Sequence, residues 1–140
     1  MVVVTAAQRQ EMFDWCLEKA PEEGCGLVAG RAGQAEKIYR TTNVEKADKR
    51  VRYEIDPSEL LTVFRDIDDN DLEFLGIFHS HVKSAAYPSA TDIRLSYYPG
   101  AVYFMISLQH DAPELRVFTI AKPEVTAEAG QPVEIELVIV

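Results

Sequence analysis

The sequence predicts an α/β fold, a sandwich of helices around a mixed β-sheet. Two stretches, one beginning at Ala6 and one at Pro57, carry apolar residues at helical spacing behind recognisable caps. Between and after them lie short apolar runs of strand length, most of them sequential. The chain is 47% hydrophobic and 26% charged over 140 residues, an ordinary globular composition. That length suffices for one domain, residues 1–140, with a core that needs no disulfide.

In chain order, residues 6–19 read as a helix. Thr5 is its cap and Gln8, three positions on, completes a capping box. Met12, Phe13, Cys16 and Leu17 form its buried stripe, and Pro21 ends it. Cys25–Gly30 is a short apolar run bounded by glycines, a buried strand. Ala35–Thr41 is a second strand, paired with the first through the turn at Gly30–Gly33. Asn43–Arg50 is polar and charged, an exposed loop, and Val51–Ile55 reads as a strand edge. Asp56-Pro57-Ser58-Glu59 opens the second helix, with Asp56 as cap, Pro57 at the first helical position and Glu59 three after the cap. Leu60, Leu61, Val63, Phe64 and Ile67 supply its apolar face. Phe74–His81 is a strand, Val82–Pro88 a loop and Ala90–Tyr97 a third helix. Val102–Leu108, Leu115–Ala121 and Val133–Val140 are three further strands. The last is apolar and offers an edge for pairing between subunits, a route to a homo-oligomer.

Charge and cysteine usage exclude several classes of function. Fourteen Lys and Arg against 23 Asp and Glu give a net charge of −9. Nucleic-acid binding requires clustered cations, so no nucleic-acid partner is expected. Cys16 and Cys25 are the only cysteines, which fits a reducing cytoplasm. The MVVVTAAQRQ start lacks the charged and apolar regions of a secretion signal, and no apolar run approaches the ~20 residues that span a bilayer. A cytoplasmic protein with no membrane partner is the expectation.

Chemistry concentrates in His79-Ser80-His81 and the Ser89-Ala90-Thr91-Asp92 that follows. On a strand, residues i and i+2 share a face, so His79 and His81 point one way and Ser80 the other. Their Cβ atoms lie roughly 7 Å apart, a span two imidazoles close around one ion. With Asp92 folded back over the strand end, two nitrogens and a carboxylate make a donor set for one Zn²⁺, three protein ligands leaving a fourth position for water. Ser-x-x-Asp is equally a helix capping box, and the two roles are compatible if Asp92 stands in the first helical turn. His110, beside Asp111 and Pro113, reads as a solvated loop residue. Hydrolysis further needs a general base, and Glu22 and Glu23, just ahead of the buried strand, are both available.

A glutamate, then a distant His-Ser-His, seven residues, Ser, two residues and Asp together resemble the signature of the JAMM (MPN+) zinc proteases. The resemblance runs along the whole chain, from the first helix and Pro21-Glu22-Glu23-Gly24-Cys25-Gly26 to the closing strands. It implies the MPN (cytidine-deaminase-like) α/β sandwich around a mixed, curved sheet, and a single catalytic domain. It implies that His79, His81 and Asp92 ligate one catalytic zinc, that Glu23 is the acid/base, and that Ser89 hydrogen-bonds the oxyanion. Glu22, one position off, is expected to be exposed, and Cys25 takes a small buried position with no nucleophilic role. Val82 after the second His, and the short loop ending Ala86-Tyr87-Pro88-Ser89, look most like the bacterial Mec-type members. Those hydrolyse the amide after the C-terminal Gly-Gly of a ubiquitin-like sulfur carrier and release cysteine. The tail is expected to lie extended along a strand edge. Two other functions stay open: an isopeptidase that removes ubiquitin-like modifiers from lysines, and a catalytically inert scaffold.

Overall fold

The computed structural model describes residues 1–140 as eight strands and three helices in one sheet-centred fold. Strand β1 (Val2–Val4) leads into α1 (Ala6–Lys19), then β2 (Cys25–Arg31) and β3 (Gln34–Thr41). Helix α2 (Pro57–Asp69), β4 (Glu73–His81) and the short α3 (Ala90–Arg94) follow. The chain closes with β5 (Val102–Ser107), β6 (Glu114–Ala121), β7 (Gln131–Glu134) and β8 (Leu137–Ile139). The sheet order is β7-β6-β5-β4-β2-β3-β1-β8. It is mixed: β4 runs parallel to β5 and antiparallel to β2.

Local chemistry explains the elements that the sequence announced. The Thr5–Gln8 capping box starts α1 with both of its reciprocal hydrogen bonds formed. Asp56 accepts from the Ser58 and Glu59 N–H groups at the head of α2, where Pro57 has no N–H to satisfy. Ala32 and Gly33 join β2 to β3 with φ of 50° and 75°, the left-handed pair of a tight hairpin. Gly76 is required where β4 meets β5, because a Cβ there would lie 1.8 Å from Val102 O.

Alternation along the central strands divides the core into two faces. Val28, Phe78, Phe104 and Ile106 pack with Met12, Phe13 and Cys16 of α1. Cys25, Leu27, Ala29 and Ile77 pack with Val63 and Ile67 of α2. Each large apolar side chain so buried contributes about 1.5–3 kcal/mol. The same alternation assigns His79 and His81 to the α2 face and Ser80 to the α1 face.

Four sequence expectations are corrected. Leu17 and Leu61 are exposed, each displaced from the centre of its helix's buried stripe by roughly a quarter to a third of a turn. Val51–Ile55 forms no strand: only Ile55 bridges to Asn43, while Val51 and Arg52 N–H groups turn back to Asp48 O. Asn43 Oδ1 takes the Glu45 and Glu54 N–H groups, replacing ladder partners with a side chain. Helix α3 stops at Arg94, three residues early, because Ser96 Oγ donates to Ile93 O at 2.6 Å and competes with the next turn.

The fourth correction concerns Val133–Val140, which is two strands. Strand β7 pairs antiparallel with β6 at one end of the sheet, and β8 pairs parallel with β1 at the other. Only Ile135 and Glu136 separate them; Ile135 N–H donates to Val117 O, and Glu136 O accepts from Val2 N–H. The sheet is therefore curled until one segment serves both of its ends. Leu137 and Ile139 pack against the α1-side core, while β7 and β8 are the two end strands of the sheet and Val133 and Val140 stay exposed.

Candidate metal centre and active site

His79 and His81 stand at the end of β4, on a strand flanked on both sides by β2 and β5. Asp92 is carried to them by α3. Ser89 caps that helix: its Oγ accepts the Asp92 N–H at 3.1 Å, and its own N–H donates to Asp92 Oδ2 at 2.9 Å. The capping box therefore leaves the Asp92 carboxylate beside both imidazoles, compatible with a ligand role. Asp92 Oδ1 lies 3.2 Å from His79 Nε2, and Oδ2 lies 3.0 Å from His81 Nε2. One donor atom from each of the three residues falls within 4.8 Å of the others.

The donor set fits a metal ion. His79 is fully buried, and neither of its ring nitrogens has a hydrogen-bond partner. Buried polar atoms are rarely left so, unless an ion or catalytic task employs them. His81 Nδ1 donates to Ala85 O at 2.9 Å, which leaves Nε2 of the neutral ring as a lone pair facing Asp92 Oδ2. Unprotonated, that lone pair and the carboxylate are two acceptors facing at 3.0 Å, and a cation between them, a proton or a metal ion, relieves the repulsion. Burial opposes ionisation of Asp92. The two imidazoles, His79 first and His81 after it, together with the Ser89 N–H outweigh it and hold the carboxyl well below its usual range. Burial likewise works against a charged His81, while Asp92 and Ala85 O more than reverse it and raise its pKa.

Glu23 is buried on the same cluster, whereas Glu22 is exposed, as the spacing of the motif requires. Burial pushes the Glu23 carboxyl up to about 7; His79 and His81 pull it down and Asp92 adds to the rise. Its backbone is fixed on both sides. Glu23 N–H donates to Lys49 O at 2.7 Å, and Glu23 O accepts from Asn43 Nδ2 at 3.0 Å. A cleft of about 510 Å³ is lined by Glu23, His81 and Ser89 together. A second groove of about 380 Å³ is lined by Asp92 together with Tyr53, Ile55, Leu60, Ile77 and Leu95. Because β2, β4 and β5 all have neighbours on both sides, no sheet edge borders the cluster. An edge for a substrate tail is thus not offered by β2, β4 or β5. His110 lies in an exposed bend, as read.

A family model described as prokaryotic homologs of the JAB domain matches residues 5–121. The chain belongs to this family. This JAB-domain protein is 37% identical over 117 residues to the CysO-cysteine peptidase of Mycobacterium tuberculosis, covering 81% of the chain and 79% of the relative. It is also 37% identical over 89 residues to a desampylase of Haloferax volcanii, covering 62% of the chain and 63% of the relative. Like these relatives it is an enzyme of the peptidase class. A solution structure of protein DSY2949 from Desulfitobacterium hafniense superposes with a TM-score of 0.84 at 32% identity, covering 99% of the chain and 92% of its own. A JAB1/MPN domain protein from Archaeoglobus fulgidus shares the fold, with a TM-score of 0.62 at 13% identity over 100% of this chain and 97% of that one.

Two residues of the JAB-domain site were not picked out from the sequence. Ser80 Oγ accepts the Gly24 N–H at 2.9 Å, and Ser80 N–H donates to Gly24 O at 3.0 Å. The middle residue of His-Ser-His thus fastens the peptide next to Glu23, from the opposite face of the strand. A hydroxyl inside a buried strand demands a partner, which was the available signal. Tyr53 stacks on His79 with ring centroids 4.3 Å apart and an interplanar angle of 28°. Nothing local in the sequence marks it, since it comes from the segment misread as a strand edge.

Proposed function

We propose that this chain is a zinc-dependent peptidase that hydrolyses the amide after the C-terminal Gly-Gly of a ubiquitin-like sulfur carrier and releases cysteine. One observation carries the reading. A buried carboxyl, Glu23, opens on the same cleft as His81 and Ser89, beside a buried His79–His81–Asp92 cluster. Kinship with a CysO-cysteine peptidase over four-fifths of the chain supports the substrate class.

His79, His81 and Asp92 would hold the ion, and Zn²⁺ bound there supplies Lewis acidity that acidifies water and polarises a carbonyl. Glu23 takes the proton from the attacking water as the oxygen bonds to the glycine carbonyl carbon. Burial raises the proton affinity of this carboxyl, which suits it to take up a proton and then return it. Ser89 Oγ spends a lone pair on the Asp92 N–H, so its O–H remains free to donate to the developing oxyanion. The C–N bond then breaks, and Glu23 passes its proton to the leaving amine.

Ser89→Ala separates capping from catalysis. Loss of the cap alone costs about 1 kcal/mol of stability and leaves turnover close to wild type. Loss of an oxyanion donor lowers kcat by about 10²–10³ with KM little changed, and that is the expected result. The function itself is tested with CysO carrying one extra C-terminal cysteine, followed by mass spectrometry. The zinc-loaded protein is expected to remove the cysteine, chelation to stop it and added zinc to restore it. Faster cleavage of a lysine-linked modifier conjugate would install the desampylase-like reading instead, and cleavage of neither would sink the hydrolase reading.

A further inference from the structure

The cleft that holds Glu23, His81 and Ser89 also carries two cations, Arg50 and Lys83, for which the hydrolytic steps have no use. Arg50 is held in place by Asp48, its Nε and Nη2 donating to the two carboxylate oxygens at 3.0 and 3.3 Å. The turn that carries it is fastened to the general base, because Lys49 O accepts the Glu23 N–H. Asp48 neutralises Arg50 locally. Lys83, two residues beyond His81, is exposed and belongs to none of the ion pairs. The uncompensated charge at this rim is therefore its ammonium, in a protein whose net charge is −9.

The two depressions that meet at the cluster differ in kind. The groove on the Asp92 side has an apolar wall that includes Tyr53, Ile55, Leu60 and Ile77, and its charged lining is net negative, Glu45, Glu54 and Asp92 against Arg52. The cleft on the Glu23 side is polar, and Val51 and Pro21 are its main apolar lining beside Val82. A substrate lying across the cluster places one flank of its scissile bond in each. A Gly-Gly tail is uncharged and small. A single released residue ends in a free α-carboxylate, the only obligatory charge on that flank.

We infer that the polar cleft is the leaving-group subsite, and that Lys83, with Arg50 beside it, reads the free α-carboxylate of the released residue. The inference rests on the hydrolytic reading above. It makes the enzyme selective for adducts that end one residue past the scissile bond. In a lysine-linked conjugate the corresponding carboxylate is consumed in a peptide bond and gives the ammonium nothing to bind. Charge-assisted hydrogen bonds of this kind are the stronger class, and they discriminate sharply against a neutral isostere.

The test compares CysO extended by cysteine as the free acid with the same adduct ending in a carboxamide. For the wild-type, zinc-loaded enzyme, kcat/KM is expected to favour the acid by roughly tenfold. In Lys83→Gln that preference falls to within about twofold, through a higher KM for the acid, while kcat, zinc content and the KM for the amide stay unchanged. Arg50→Gln is expected to give a smaller shift in the same direction, because Asp48 already engages that side chain. Equal cleavage of acid and amide by the wild type overturns the inference and leaves the hydrolase reading standing. A Lys83→Gln enzyme with an undiminished preference overturns it too. Failure to cleave either adduct removes the hydrolase reading, and the inference with it.

Discussion

Glu23→Gln is expected to lower kcat by about 10²–10⁴ while the protein retains its full complement of zinc. Glutamine keeps the shape of the side chain and its buried volume but cannot accept and return a proton. The backbone clamps at Lys49 O, Asn43 Nδ2 and Ser80 Oγ do not involve the carboxyl, so the segment stays in place. Stability should move the other way. Burial raises the Glu23 pKa from 4.5 to about 7 in the folded state. Below pH 4.5 the group is protonated in folded and unfolded chains alike, and it makes no difference. Between pH 4.5 and about 7 the unfolded chain ionises the group freely while the metal-free fold holds it protonated, so stability falls across that window and levels off above it. The substitution abolishes this loss, and metal-free Glu23→Gln should melt a few degrees higher than wild type at pH 8 and no higher at pH 4. Turnover within tenfold of wild type would place the proton transfer elsewhere.

Most of the site was legible because its geometry is local. Period-two alternation put His79 and His81 on one face, and the Ser89–Asp92 spacing set a capping box that also delivers a carboxylate to the strand end. Helix boundaries with side-chain caps, at Thr5 and Asp56, were read directly for the same reason. What escaped depends on contacts between distant segments. Val133–Val140 alternates and is apolar like one strand, but the curl of the sheet brings β6 and β1 to its two halves and divides it. Val51–Ile55 has strand-like residues, yet Asn43 captures the N–H of Glu54 and leaves a single bridge. Ser80 and Tyr53 gain their roles only when α1's face and the 43–56 loop close over β4. Local motifs encode the chemistry, and tertiary closure supplies the parts that hold it rigid.

Asp92 is where the two kinds of information meet, and Asp92→Asn pulls them apart. An asparagine oxygen in the place of Oδ2 still accepts the Ser89 N–H, so α3 keeps its cap and the metal-free protein is expected to lose no more than about 1 kcal/mol. The charge between the two imidazoles is gone, and one side of the amide now presents N–H donors where a ligand atom stood. Loss of a conserved outer-shell partner already costs 10–100-fold in metal affinity, so loss of a direct carboxylate donor should cost at least about 10²-fold. The variant is therefore expected to retain far less than one equivalent of zinc after dialysis against a chelator, with turnover falling in proportion to the metal lost. Far-UV circular dichroism should be unchanged, which shows that the loss is not one of folding. If Asp92→Asn instead binds zinc as tightly as wild type, the carboxylate is a helix cap and the ion has another third ligand. The cluster distances of 3.0 and 3.2 Å to the two histidine rings argue for the first outcome, because a cap alone needs neither ring nearby.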